Sequence, residues 1–283
     1  PGSIAGLALA LERFGTMPWR EVIQPAIAIA EAGLPVDWYT LLQIVAGGAE
    51  LGRYATSRET YLPNGLPPVA NFAHAIPRLH LGRLADTLRR LKDAGPADFY
   101  MGDVARAIVA DVQAAGGVLA MDDLASYRAE IVEPLAVEYR GATVNLVPGF
   151  TGGPTFARAL RTLAMTLDPG QGLGAAAYLA YAEALSEAYQ FRFEHLGHDG
   201  DPQLLGTTSH MSVVDEAGNM VTLTNTLLER FGSRVMLPAT GIMMNNGIMW
   251  FDPRPGRANS MAPGKRPLSN MCPVIATREG AGW

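Results

Sequence analysis

The sequence predicts an α+β fold: a helix-rich stretch over residues 1–207, then a strand-rich stretch over 208–283. Three observations carry this. Apolar side chains recur at helical spacing through much of the first stretch, between glycines, prolines and capping residues. Residues 206–226 carry two runs of β-branched residues about Gly218-Asn219, a pair with good turn chemistry. Hydrophobic residues make up 48% of the 283 and charged residues 17%, a balance that builds a core.

Taken in order, Ser3 is placed to cap a helix over Ile4 to Phe14, which Gly15 closes. Trp19 to Ala32 reads as a second helix, stopped by Gly33 and Pro35. Residues 52–77 read as a loop, with Asn64-Gly65 and Pro67-Pro68. Leu84 to Ala94 reads as a helix. Asp103 to Ala115 is amphipathic, with Val104, Ala105, Ile108, Val109 and Val112 on one face. Met121 to Tyr127 is a further short helix. Val132 to Glu138 and Ala142 to Val147 read as strands turning at Tyr139-Arg-Gly141.

Phe150-Thr-Gly-Gly-Pro154 then opens a helix to about Met165. The glycine pair suits either an anion at a helix N-terminus or a tight strand-to-helix turn. Ala175 to Leu196 reads as one long helix. Gly206 to Asp215 and Val221 to Thr226 read as strand, turn, strand, with Thr222, Thr224 and Thr226 on one face by the period of two.

The net charge of −5 argues against nucleic acid as a partner, since phosphate binding wants a basic patch. The single cysteine, Cys272, allows no intrachain disulfide; it is either a catalytic thiol or a small buried apolar residue. His74 and His80 lack further ligands at metal-binding spacing, so no metal and no other cofactor is expected. No eighteen-residue apolar run encodes a membrane helix. The chain opens on Pro1-Gly2 and stops at Gly282-Trp283, and an internal fragment is expected.

Several motifs recur in fixed order over more than sixty residues. They are Thr208-Ser-His-Met-Ser-Val-Val-Asp-x-x-Gly-Asn219, Thr224-Asn-Thr226, Phe231-Gly232, Gly241-Ile-Met-Met-Asn-Asn246 and Gly264-Lys-Arg-Pro-Leu-Ser269-Asn-Met-x-Pro273. Together they resemble the nucleophile region of the γ-glutamyltranspeptidases, which are N-terminal-nucleophile hydrolases. Gly95 to Tyr127 and Ala182 to Gly197 are similar to the large subunit of that family.

The resemblance implies a four-layer αββα sandwich. It also implies a precursor cut into a large-subunit-like part, 1–207, and a small-subunit-like part, 208–283, which form one composite domain truncated at both ends. The substrate would be a small-molecule amide, with γ-glutamyl compounds such as glutathione as the family default. The location implied is periplasmic or extracellular.

Cleavage between Thr207 and Thr208 would free a threonine that carries both a hydroxyl and its own α-amino base. An α-amino pKa of roughly 7.7–8.0 lets that group accept the hydroxyl proton near neutral pH. Position assigns the nucleophile to Thr208, with Thr207 and Ser209 as competing assignments. Thr226 matches the threonine whose hydroxyl orients the nucleophile. Ser269 and Asn270 match donors to a substrate carboxylate, and Asn246 and Trp250 are likewise expected to bind substrate. Arg192 is expected to be structural.

This chain also departs from the family. Trp250 stands where an acid meets the substrate ammonium, with Asp252 two residues late. Leu228 stands where the family has asparagine, and only about ten residues, His198 to Thr207, lead to Thr208. Two readings follow: an autoprocessed hydrolase or acyltransferase, or a non-catalytic homologue that is never cut. Within the first, γ-glutamyl amides such as glutathione are the expected substrate, and a dicarboxylic monoamide lacking the α-amino group is the alternative that Trp250 and Leu228 favour.

Overall fold

The structure is a computed structural model and describes residues 2–69, 75–197 and 208–282. His74, Thr207 and the short tether 198–207 lie outside the described residues. The chain divides into two compact units, residues 1–130 with 229–245 and residues 131–228 with 246–283. Each unit draws on both sides of Thr208, so the packing units do not coincide with the division expected at that residue.

The first unit is helical. It holds α1 (Gly2–Phe14), α2 (Trp19–Val22), α3 (Gln24–Ala32), β1 (Leu34–Pro35), α4 (Trp38–Leu51), α5 (Ala55–Tyr61), β2 (Arg78–Leu79), α6 (Leu84–Ala94), α7 (Asp98–Met101), α8 (Asp103–Ala114) and α9 (Met121–Ala125). Ser3 lies inside α1 rather than capping it. The helix expected over Trp19 to Ala32 is broken at Ile23, because Pro25 has no N–H to give the carbonyl of Glu21.

The expected loop after Gly52 contains α5. Its buried Ser57 donates to the Arg234 carbonyl at 2.6 Å and accepts from the Met236 N–H at 3.0 Å. These long-range bonds override the turn-rich composition. One core joins Ile23, Ile27, Leu91, Val104, Ile108 and Leu124; a second joins Val36, Ile44, Leu51, Tyr61 and Leu79. Asp98 is buried and caps α8 by accepting from the N–H groups of Asp103 at 3.2 Å and Val104 at 3.1 Å.

The second unit carries the larger sheet. It holds β3 (Leu135–Tyr139), β4 (Ala142–Leu146), α10 (Gly153–Thr166), α11 (Ala175–Phe191), β5 (Thr208–Val214), β6 (Met220–Thr226), β7 (Val274–Arg278) and β8 (Ala281–Gly282). β3 begins three residues later than expected, just past Pro134, which cannot donate to a ladder. The four-stranded sheet runs β3-β4-β7-β8, antiparallel throughout. Ala157 and Leu160 of α10 pack on Val137, Val144 and Leu146.

The long helix expected to Leu196 stays α-helical only to Phe191. Residues Arg192–Gly197 continue as a π-helix.

Candidate active site

β5 and β6 form a separate antiparallel hairpin in which Thr208 stands opposite Thr226 and Val214 opposite Met220. The turn sets this register. Asp215 Oδ1 accepts from the N–H groups of Ala217 at 3.0 Å and Asn219 at 2.8 Å, and Gly218 supplies φ 81°. Asn219 Nδ2 donates to Asp215 Oδ2, and these bonds hold the Asp215 carboxyl below the usual carboxylate range. A slip of one residue would send Thr208 and Thr226 to opposite faces, so the turn is what keeps them paired.

The pairing is direct. Thr208 Oγ1 donates to Thr226 Oγ1 at 3.0 Å, and Thr226 Oγ1 also accepts the Leu228 N–H at 2.9 Å. Two strand positions further along the same face, His210 Nδ1 lies 2.9 Å from Thr224 Oγ1. Its Nε2 lies 3.1 Å from Thr222 Oγ1 and 3.3 Å from Ser212 Oγ. In the sequence His210 stands only as one residue of the Thr208–Asn219 motif. Period-two alternation on both strands was the signal that places it among these hydroxyls.

Asn246 is buried and donates its N–H to the Leu227 carbonyl at 3.0 Å, which ties the 3₁₀ turn Gly247–Trp250 to the end of β6. Its Nδ2 contacts Met249 Sδ at 3.2 Å. Trp250 is half-buried at the end of that turn, and its carbonyl accepts from Asn259 Nδ2 at 2.6 Å. Asp252 is fully buried. Its Oδ1 accepts from Arg254 N and Nε at 2.9 and 3.0 Å, and its Oδ2 from Arg254 Nη2 at 3.0 Å.

Ser269 and Asn270 lie beside the turn that opens α10. Ser269 is buried, and both its N–H, at 2.9 Å, and its hydroxyl, at 3.3 Å, go to the Phe150 carbonyl. The hydroxyl expected to meet substrate is therefore engaged within the protein, while Asn270 is exposed. A Cβ on Gly153 would lie 1.9 Å from the Val147 carbonyl oxygen, so only glycine fits there. The Gly152 N–H goes to the Met271 carbonyl and the Gly153 N–H to Thr151 Oγ1, which makes the glycine pair a tight turn.

Arg192 is only 7% exposed. Nη1 donates to the Thr151 carbonyl at 3.0 Å and to Thr155 Oγ1 at 3.2 Å, and Nη2 donates to the Ser269 carbonyl at 2.9 Å. Burial pushes its pKa below the usual guanidinium value; the group stays charged at neutral pH.

Cys272 is half-buried, and burial pushes its thiol pKa up, away from the reactive thiolate. An apolar groove between Val132, Leu146, Val147, Pro273 and Ile275 reaches Thr222. Thr222 lies four residues along β6 from Thr226, about 13 Å at strand spacing, so the groove is not at the threonine pair. Among the described residues no three of His, Cys, Asp and Glu come together to hold a metal. No helix among them is long and apolar enough to cross a membrane.

The whole chain superposes on a cephalosporin acylase from Bacillus halodurans with a TM-score of 0.86 and 26% identity, covering 58% of that chain. The fold is thus of the α+β, αββα class of the N-terminal-nucleophile hydrolases, as the sequence predicts. A family model described as Gamma-glutamyltranspeptidase matches residues 1–205 and 201–283. Acylase ACY 1 proenzyme of Pseudomonas sp. (strain SE83) is 34% identical over 318 positions, covering 99% of this chain and 56% of that protein. Glutathione hydrolase proenzyme of Escherichia coli (strain K12) is 31% identical over 335 positions, covering 100% of this chain and 57% of that protein.

The chain belongs to the γ-glutamyltranspeptidase family. It spans a little over half the length of these relatives. Both alignments are longer than its 283 residues, so the relatives carry residues that it lacks. The two family matches meet at 201–205, inside the short tether.

Proposed function

We propose that this chain is the nucleophile-bearing part of an autoprocessed amidohydrolase or acyltransferase, with Thr208 as the nucleophile and Thr226 as the residue that orients it. The observation that carries the reading is the 3.0 Å bond between the two hydroxyls, set by the register of β5 and β6. Cleavage before Thr208 would free an α-amino group on the same residue as the hydroxyl. That amine takes the hydroxyl proton as Oγ1 attacks the amide carbon, and it returns the proton to the leaving amine. Water then releases the acyl group from Thr208. Thr226 fixes the rotamer of the attacking oxygen throughout.

The acyl group in this reading carries a distal carboxylate and no α-amino group. Support comes from Trp250 at the position of the family's acid and from Asp252, whose two oxygens are held by Arg254. The relatives named acylases share this chain's family. A γ-glutamyl substrate is the second reading, favoured by the relative named glutathione hydrolase.

Expression of the full-length gene tests the reading. The purified protein should run as two bands on a denaturing gel, and the new N-terminus should read Thr-Ser-His-Met-Ser. Thr208→Ala should remain one chain. A single uncut wild-type band without amidase activity would instead mark a non-catalytic homologue.

A further inference from the structure

We infer that Arg192 is a positioning residue that selects acyl groups bearing a distal carboxylate, acting through the Ser269–Asn270 peptide. The inference rests on the proposed amidohydrolase reading and adds to it the buried charge behind the carboxylate site.

Burying a guanidinium costs free energy unless its protons are bonded and its charge has an opposite partner. Arg192 meets the first condition with Thr151 O, Thr155 Oγ1 and Ser269 O. All three acceptors are neutral, and among the described residues no carboxylate forms an ion pair with it. The π-helix that begins at this residue is a second, independent observation. Such a local change of winding is uncommon and recurs at functional sites.

Peptide geometry gives the charge a direction. In a planar trans peptide the N–H points opposite to the C=O. The Ser269 carbonyl faces Arg192, so the Asn270 N–H faces away from it. A cation bonded to the carbonyl polarises the peptide and makes that N–H a stronger donor. The Ser269 N–H and hydroxyl are both given to Phe150, whereas Asn270 is exposed. The Asn270 N–H, with its own amide beside it, is thus the donor presented to an anion. Arg192 also bridges Thr151 O to Ser269 O, which fixes the 269–270 segment against the α10 turn.

The test uses the mature full-length enzyme and two anilides, glutaryl and the same acyl group with its distal carboxylate replaced by a carboxamide. Wild type should prefer the carboxylate. Arg192→Gln should lower kcat/KM for the glutaryl anilide by about 10-fold, chiefly through KM, because the buried charge behind the Asn270 donor is lost while the donor itself remains. The carboxamide should change by less than about 3-fold, because it has no charge to lose. Arg192→Lys keeps the charge without the fork and should recover part of the preference. Thr155→Val removes one acceptor while preserving shape. It should cut the preference by about 2- to 5-fold, and it decides the matter if Arg192→Gln does not mature. Equal losses on both anilides, or an unchanged preference in every variant that matures, would make Arg192 merely structural and overturn the inference. A wild type that matures and cleaves anilides but ignores the carboxylate would overturn it too, while leaving the threonine chemistry standing. Absence of processing would instead sink the underlying reading.

Discussion

Leu228 holds a left-handed backbone, φ 76°, and donates its N–H to Thr226 Oγ1 at 2.9 Å. This conformation costs a leucine about 1–2 kcal/mol, whereas asparagine visits it more readily. The side chain is only 3% exposed, and burial of a leucine offsets the strain by about 2 kcal/mol. Leu228→Ala keeps the strain and loses the burial, so a loss of about 2–3 kcal/mol is expected. Leu228→Asn also loses the apolar burial but relieves the backbone, and should cost about 1 kcal/mol. Urea midpoints of the two variants check this. If Asn proves much worse than Ala, packing rather than backbone conformation governs the position.

Thr226 receives both that N–H and the Thr208 hydroxyl. Thr226→Ala leaves the strand pairing intact, because ladder bonds come from the backbone, but it frees the rotamer of Thr208, the proposed nucleophile. Turnover of an anilide by the mature enzyme should fall about 10²-fold with little change in stability, and Thr226→Ser should recover most of it. Wild-type turnover in Thr226→Ala would reduce the residue to ordinary sheet surface.

The threonine pair was legible in the sequence through the family resemblance that matches Thr208 and Thr226, while two local rules account for the hairpin that carries them. Alternation in β5 and β6 sets the faces, and the Asp215-to-Asn219 turn sets the register. What stayed hidden depends on distant partners. Helix α5 is held through Ser57, whose partners lie 177 and 179 residues away, so the turn-like composition of its surroundings misleads. Arg192 finds the Ser269 carbonyl 77 residues on, across a π-helical step that no periodicity announces. The motif at 264–273 located Ser269 but not the Phe150 carbonyl that takes its hydroxyl.

Asp98 makes stability depend on acid. Hydrogen bonding from Arg90 is the chief cause holding its carboxyl below the usual range, and the Val104 and Asp103 N–H groups add to it. A carboxylate whose pKa is depressed on folding contributes stability above its unfolded value, about 3.9, and loses it as pH falls through the folded value. Asp98→Asn should therefore cost about 1–2 kcal/mol at pH 7, since it weakens both the pair with the half-exposed Arg90 and the α8 cap. The gap between wild type and variant should close as pH drops from about 4 toward 2. Denaturant titrations across that range check it, and a gap that stays constant would assign the effect to shape rather than charge.

The acyl pocket separates the two substrate readings. A γ-glutamyl group brings an ammonium that needs an anion, and leaving it unpaired against apolar side chains costs several kcal/mol, on the order of a buried charge. Asp252 is the nearest acid in sequence, yet it is fully buried and both its oxygens accept from Arg254. Recruiting it would break its bonds to Arg254. Trp250, which the proposed reading sets at the place of the family's acid, offers a large indole and no charge. A glutaryl group has the same chain length and no ammonium, so it avoids the penalty altogether. The mature full-length enzyme should cleave a glutaryl anilide at least as well as the γ-glutamyl anilide. Trp250→Asp should move the ratio of kcat/KM toward γ-glutamyl by about 10-fold or more, because it restores a counter-charge. Asp252→Asn should lower stability and leave the ratio unchanged, since that carboxylate serves Arg254 rather than substrate. If Asp252→Asn abolishes γ-glutamyl cleavage while sparing glutaryl, the loop opens on binding and Asp252 is the acid after all. A clear wild-type preference for the γ-glutamyl anilide would return the chain to its family's default substrate.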